Sequence, residues 1–229
     1  MARRDGSCRQ KGVALFVVLV LLMLCTLAVV GACRSMLLNE ALVGNAADYA
    51  RAFAAAEALL RDAEIDVLGV LPDGGACRPS DPQPGCRDAA GIGFPYAAGE
   101  LQRLADSLGA DPSQPCRAGI CFSESAALLP DEFFDRPEQN AAAAARYGQF
   151  TGASAEGLRQ NPYLARNARY WVEVFDYPVA AGILEAASPV QPDASRPYVF
   201  RITAVVLGNR PETRAMLREV FIPSPMSGS

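Results

Sequence analysis

The chain of 229 residues contains no histidine. That absence removes the usual general base at neutral pH, the usual partner of a nucleophilic hydroxyl or thiol, and the commonest metal ligand, and with them most hydrolase and metalloenzyme readings. Catalysis by carboxylates alone remains possible in principle, and acids on a solvated surface account for the same residues. Basic charge is scarce as well. Of 21 Lys+Arg, Arg3, Arg4, Arg9 and Lys11 crowd into the first twelve residues beside the single acid Asp5, which leaves 17 basic against 24 acidic residues beyond them, a formal charge of −7. An acidic body of this kind has no electrostatic footprint for nucleic acid. Two further absences are local: no charged residue lies between Val13 and Cys33, and no proline precedes Pro72. The first rules out a solvated surface for that stretch, and the second leaves nothing that would break a helix running through it.

The uncharged run VALFVVLVLLMLCTLAVVGAC, Val13 to Cys33, spans roughly 30 Å as a helix, the thickness of a bilayer's hydrocarbon core. The basic residues before it keep the amino-terminal side in the cytoplasm, so everything after residue 33 is expected beyond the membrane. The apolar core is longer than that of a cleaved secretory signal. Val30-Gly31-Ala32-Cys33 loosely resembles a lipoprotein signal with an acylated Cys33, although Gly31 fits that pattern poorly.

Helical spacing continues past the membrane boundary. Leu38, Leu42, Tyr49, Phe53, Ala56, Leu60, Ala63 and Val67 recur at intervals of three and four as an apolar stripe, and Glu40, Asp48, Arg51, Glu57, Arg61, Asp62, Glu64 and Asp66 are expected on the solvated side. Gly69 and Pro72 mark the end. One helix from Val13 to Leu68 would be roughly 84 Å long and would need partners along its length.

The basic leader ending in Gly12, the membrane helix starting at Val13, and the continuation through Asn45-Ala46, Phe53-Ala54-Ala55-Ala56-Glu57-Ala58 and Leu60-Arg61-Asp62-Ala63-Glu64 resemble the PilX-type minor pilins of bacterial type IV pili, over about residues 9 to 66. The resemblance implies a prepilin peptidase that cuts after Gly12, a methylated amino terminus at Val13, and helices assembled side by side with other minor pilins and the major pilin. It also implies contact with the inner-membrane assembly platform and, as a further candidate partner, a tip adhesin. One position departs from the pattern: major pilins carry glutamate at the fifth mature residue, which here is Val17, and no other acid lies between Val13 and Cys33. The departure points to an initiating or tip role.

Beyond Pro72 the texture changes. Residues 72 to 95 are dense in glycine and proline and read as irregular loop. Glu100 to Leu108 and the alanine-rich Asn140 to Phe150 are short helix candidates. Cys8, Cys25 and Cys33 lie in the leader and membrane helix, while Cys77, Cys86, Cys116 and Cys121 fall in the oxidising compartment and suggest two disulfides with three possible connectivities. Loop-closure entropy favours local pairing, Cys77 with Cys86 and Cys116 with Cys121. The spacing of the first pair does not suit zinc. No metal, cofactor or catalytic residue is assigned.

The last third reads as strands, over Ala168 to Tyr177, Pro197 to Leu207 and Ala215 to Ile222, with a turn at Gly208 to Thr213. Together these predict an α+β fold, a long amino-terminal helix packed on a carboxy-terminal antiparallel sheet with the helix stripe covering its one apolar face. The domain expectation is a leader at 1–12, a membrane half-helix at 13–33, an amphipathic half at 34–71, a periplasmic head at 72–222 and a tail at 223–229. The functional expectation is a minor pilin that helps initiate pilus assembly. A pseudopilin of a secretion system and a membrane-anchored periplasmic lipoprotein or binding module are the alternatives.

Overall fold

The computed structural model describes residues 13–77, 86–87, 91–109, 114–122, 128–135, 137, 140–153, 161–166, 168–178, 192 and 195–223. Gly12 and residues 224–229 of the expected tail lie outside them. Helix α1 is Val13–Leu68. It stops where Gly69 turns into the left-handed region at φ 65° and the Val70 amide reaches back to the Ile65 carbonyl. Only glycine suits this helix end, because a Cβ at Gly69 would stand 2.6 Å from the Tyr96 hydroxyl.

The chain divides into two compact units, residues 1–47 and 48–229. The described part of the first is helix alone. Its window of highest hydropathy is wholly unburied, and α1 is long and apolar enough to cross a membrane. Lipid or neighbouring helices must therefore cover Val13 to Val30.

In the second unit the carboxy-terminal part of α1 lies on a five-stranded sheet. After α2 (Leu101–Leu108) come β1 (Cys116–Arg117), β2 (Ile120–Cys121), α3 (Asp131–Asp135), α4 (Pro162–Arg166), β3 (Ala168–Asp176), β4 (Tyr198–Leu207) and β5 (Arg214–Phe221). The strands follow chain order across the sheet. The three long strands pair antiparallel, Val172 opposite Ile202 and Ile202 opposite Glu219. These are the three antiparallel strands expected; the sheet extends beyond them at its other edge, where the β1–β2 hairpin enters with β2 parallel to β3. A tight turn makes this possible: the Gly119 carbonyl accepts the Val172 amide and the Gly119 amide donates to the Ala143 carbonyl.

The alanine-rich segment is also corrected. Asn140 to Phe150 forms a chain of turns, with Ala145 exchanging both backbone hydrogen bonds with Tyr170, N···O 3.0 Å each way. A Cβ at Gly119 would lie 2.5 Å from that of Ala145, so the segment is pressed between hairpin and sheet. Ladder bonding there outweighs the helix propensity of alanine, which is a weak prior.

Both faces of the sheet are covered, where a single covered face was expected. On the helix side Tyr170, Val172, Val174, Phe200, Ile202, Ala204 and Val206 join Ala52, Leu59, Ala63 and Val67 of α1 in the main core. On the far side Trp171 and Val205 pack with Phe134 of α3 and Ala144, and Phe134 meets the Trp171 ring edge-on at 5.5 Å. A buried ion pair pins this outer layer. Arg201 reaches Glu173 through two nitrogens at 2.6 and 2.7 Å, while Glu173 accepts the Leu129 amide and Arg201 donates to the Leu129 carbonyl.

Candidate assembly site

The helix stripe buried against the head is not the one that hydrophobicity alone predicts. Its buried members are Asp48, Ala52, Ala55, Ala56, Leu59, Asp62, Ala63, Asp66 and Val67, while Tyr49 and Phe53 are 52% and 37% exposed. The buried face is thus turned by about 70° from the expected stripe, and the two share only Ala56, Ala63 and Val67. Alanines let the sheet approach closely. The aspartates, expected in solvent, are buried because each meets donors held by a different part of the head.

Asp48 receives the Tyr163 hydroxyl of α4 at 2.6 Å and the amides of Asn209 and Arg210 in the β4–β5 turn at 3.2 Å each. The Tyr163 bond, followed by that of Thr213, holds this carboxyl well below the usual carboxylate range. Asp62 accepts the Gly148 amide at 2.8 Å and a short hydrogen bond from the Thr151 hydroxyl, which ties the turns after the alanine segment to the helix. Burial pushes its pKa up to about 6, against those two bonds and with the charge of Asp66 adding to the rise. Asp66 stands in the last turn of α1, where the carbonyl end of the helix disfavours an anion. Arg87 offsets this with a bidentate pair, Nε to Oδ1 at 2.7 Å and Nη2 to Oδ2 at 2.5 Å, and Tyr170 donates to Oδ2 at 2.6 Å. Burial, then the Asp66 charge, raises the Tyr170 hydroxyl well above its ordinary value.

The Arg87 guanidinium lies 4.0 Å from the ring centre of Phe150 and 4.6 Å from that of Phe94, and its Nη1 donates to the Ala118 carbonyl at 2.9 Å. It follows Cys86 directly in sequence, and Cys86 is bonded to Cys77 with Cα atoms 5.7 Å apart. The second disulfide, Cys116–Cys121, closes the β1–β2 hairpin. Neither the Arg87 clamp nor the Glu173–Arg201 pair emerges from sequence reasoning. The aspartates did carry a signal: 48 and 66 are eighteen residues apart, five full turns, and 62 lies one turn before 66. Acids aligned on an alanine-lined face mark a docked surface as well as a solvated one.

Val13 opens α1 and is 71% exposed, and Val17 is 47% exposed on the same apolar rod. Leu38, Leu42 and Val43 in the first unit, and Tyr49 and Phe53 in the second, are also exposed. The polar partners of the buried face are all within the second unit, while the apolar side chains of the first unit stay uncovered. Among the described residues no group of three or more potential metal ligands gathers. Two family models match the chain: PilX N-terminal over residues 11–61, and Type IV pilus assembly protein PilX C-term over residues 95–223. Neither a curated protein nor a solved structure matches it.

Proposed function

The chain belongs to the PilX family of type IV pilus assembly proteins, and from that premise we propose that it is a minor pilin that helps initiate pilus growth within a complex of minor pilins at the start or tip of the filament. It acts by assembling and carries out no reaction. A prepilin peptidase cuts after Gly12 and leaves a methylated Val13. The membrane half of α1 then sits in the inner membrane with the head in the periplasm, and the protein passes into the base or tip of the pilus. Other minor pilins and the major pilin pack along α1, and the inner-membrane platform and a tip adhesin complete the set of partners.

The observation that carries this reading is Val17. An amine at Val13 is costly inside an apolar bundle, and an acid on a neighbouring helix offsets that cost by pairing with it. In pilin fibres, as the family implies, the glutamate of an incoming subunit meets the amine of one already present. A chain with Val17, and no acid from Val13 to Cys33, cannot offer that contact as the newcomer. Its own amine can still receive the glutamate of the next subunit. Such a chain is suited to be followed and poorly suited to follow, which is the requirement on a first subunit.

Immunogold labelling of native pili tests the placement. The expected result is very few copies, confined to one end, with loss of the protein reducing pilus number more than pilus length and Val17→Glu tolerated. Labels spaced along the whole shaft would overturn it.

A further inference from the structure

Strand β5 is the last strand of the sheet, and although it carries Arg214, Arg218 and Glu219, its backbone edge is regular and unbroken. It contains no proline, and its eight pairs with β4 run unbroken from Leu207 opposite Arg214 to Phe200 opposite Phe221, with no bulge. Among the described residues no backbone segment other than β4 pairs with it. It also carries Met216 and Val220, which are the exposed large hydrophobic residues outside α1 among the described residues, at 36% and 39%. They point to the same side of the sheet, four residues apart.

Charge along the strand is uneven. On the outer face Arg214 and Arg218 are already neutralised by Asp135 and Asp131 of α3, at 2.5 and 2.8 Å. On the helix face Glu219 lies close enough to Glu64 of α1 to feel its charge, and its Oε1 is buried without a partner among the described residues. Two neighbouring, half-buried carboxyls do not both ionise easily, and burial followed by Glu64 pushes Glu219 up to about 7. A cation beside them would relieve both.

We propose that the free edge of β5 receives an extended segment of a different protein, which adds as a further strand and sets a lysine or arginine across from Glu219. Backbone hydrogen bonds give such a segment its affinity, while side chains at alternate positions give it specificity. Met216 and Val220 then gain cross-strand neighbours. A second copy of this chain fits badly. Antiparallel pairing about Arg218 or about Glu219 sets like charges directly opposite each other, and pairing about Leu217 sets Ala215 against Glu219 and buries the two acids with no cation.

A photocrosslinking amino acid placed singly at Met216 or Val220 of the full chain, in its native cells, tests this, with Glu132 on the exposed side of α3 as the control position. The expected crosslinks from Met216 and Val220 map by mass spectrometry to one segment of one other protein, about four residues apart, with a basic residue set to face Glu219. Glu219→Lys then lowers both yields about tenfold, Glu219→Gln lowers them in the same direction, and reversing the partner's basic residue to glutamate restores the yield with Glu219→Lys. Yields no higher than at Glu132, crosslinks only to a second copy of this chain, crosslinks scattered over unrelated sites, or yields indifferent to both Glu219 variants would each overturn the proposal. Glu219→Gln is nearly isosteric, so a folding defect confined to Glu219→Lys leaves the test intact. The readout makes no use of where in the pilus the protein sits.

Discussion

Replacing Arg87 by methionine is the perturbation that most directly probes how the head is held to the helix. In the native chain the Asp66 carboxylate is 1% exposed and the Arg87 side chain 8%. With methionine at position 87, Asp66 keeps Tyr170 as its one side-chain donor among the described residues, at the unfavourable end of a helix. Removing one member of a buried ion pair costs about 3 to 5 kcal/mol, because the remaining charge is desolvated and unpaired. Loss of the two ring contacts acts in the same direction. Against a total stability of about 5 to 15 kcal/mol the change is severe, and it lowers the melting temperature by roughly 6 to 20 °C for a domain of this size. Urea unfolding of the detergent-solubilised full chain, followed through its single tryptophan, Trp171, measures it. Asp66→Asn added to Arg87→Met removes the stranded charge and is expected to recover a substantial part of the loss. Since Arg87 follows Cys86, replacing Cys77 and Cys86 by serine should cost less in the Arg87→Met background than in the native chain. A cost below about 1 kcal/mol for Arg87→Met, or a double variant no more stable than the single one, would refute the clamp.

Burial makes Asp62 a weaker acid in the folded chain, about 6 against 3.8, so the folded state holds its proton more tightly than the unfolded one. Its contribution favours folding below about pH 4 and falls by roughly 3 kcal/mol as pH rises through 4 to 6. Asp62→Asn should remove that slope, read from urea midpoints at pH 4.5 and 7, and an unchanged slope excludes the assignment. The rotated stripe predicts that Tyr49→Ser changes stability by under about 0.5 kcal/mol while Leu59→Ala costs about 2 to 5 kcal/mol; equal losses in thermal melting would restore the hydrophobic stripe. Gly12→Leu is expected to leave the chain unprocessed in the inner membrane, and an amino-terminal peptide mass still corresponding to a start at Val13 rules out the proposed cleavage.

Much of the architecture was legible in one dimension because it rests on periodicity and exclusion. An uncharged run of bilayer length, the absence of proline up to Pro72 and the stop at Gly69 determine α1 to within its observed ends, Val13–Leu68. Three segments rich in β-branched and aromatic residues become β3, β4 and β5 with shifts of one residue at their ends. Helix period, strand period and turn chemistry are local, so neighbouring residues suffice to specify them.

What the tertiary structure decided is which surfaces meet. Tyr49 and Phe53 outrank Asp62 and Asp66 in hydrophobicity, yet the acids are buried and the aromatic residues exposed, because donors from Gly148, Thr151, Tyr170 and Arg87 converge on those carboxylates from segments 21 to 104 residues away. The alanine run lost its helix to a ladder with Tyr170, a partner some 25 residues further on. The β1–β2 hairpin joined in parallel because Gly119 let it approach. A buried polar group is stable only where its partners are, and partners separated by tens of residues are visible only once the chain has folded.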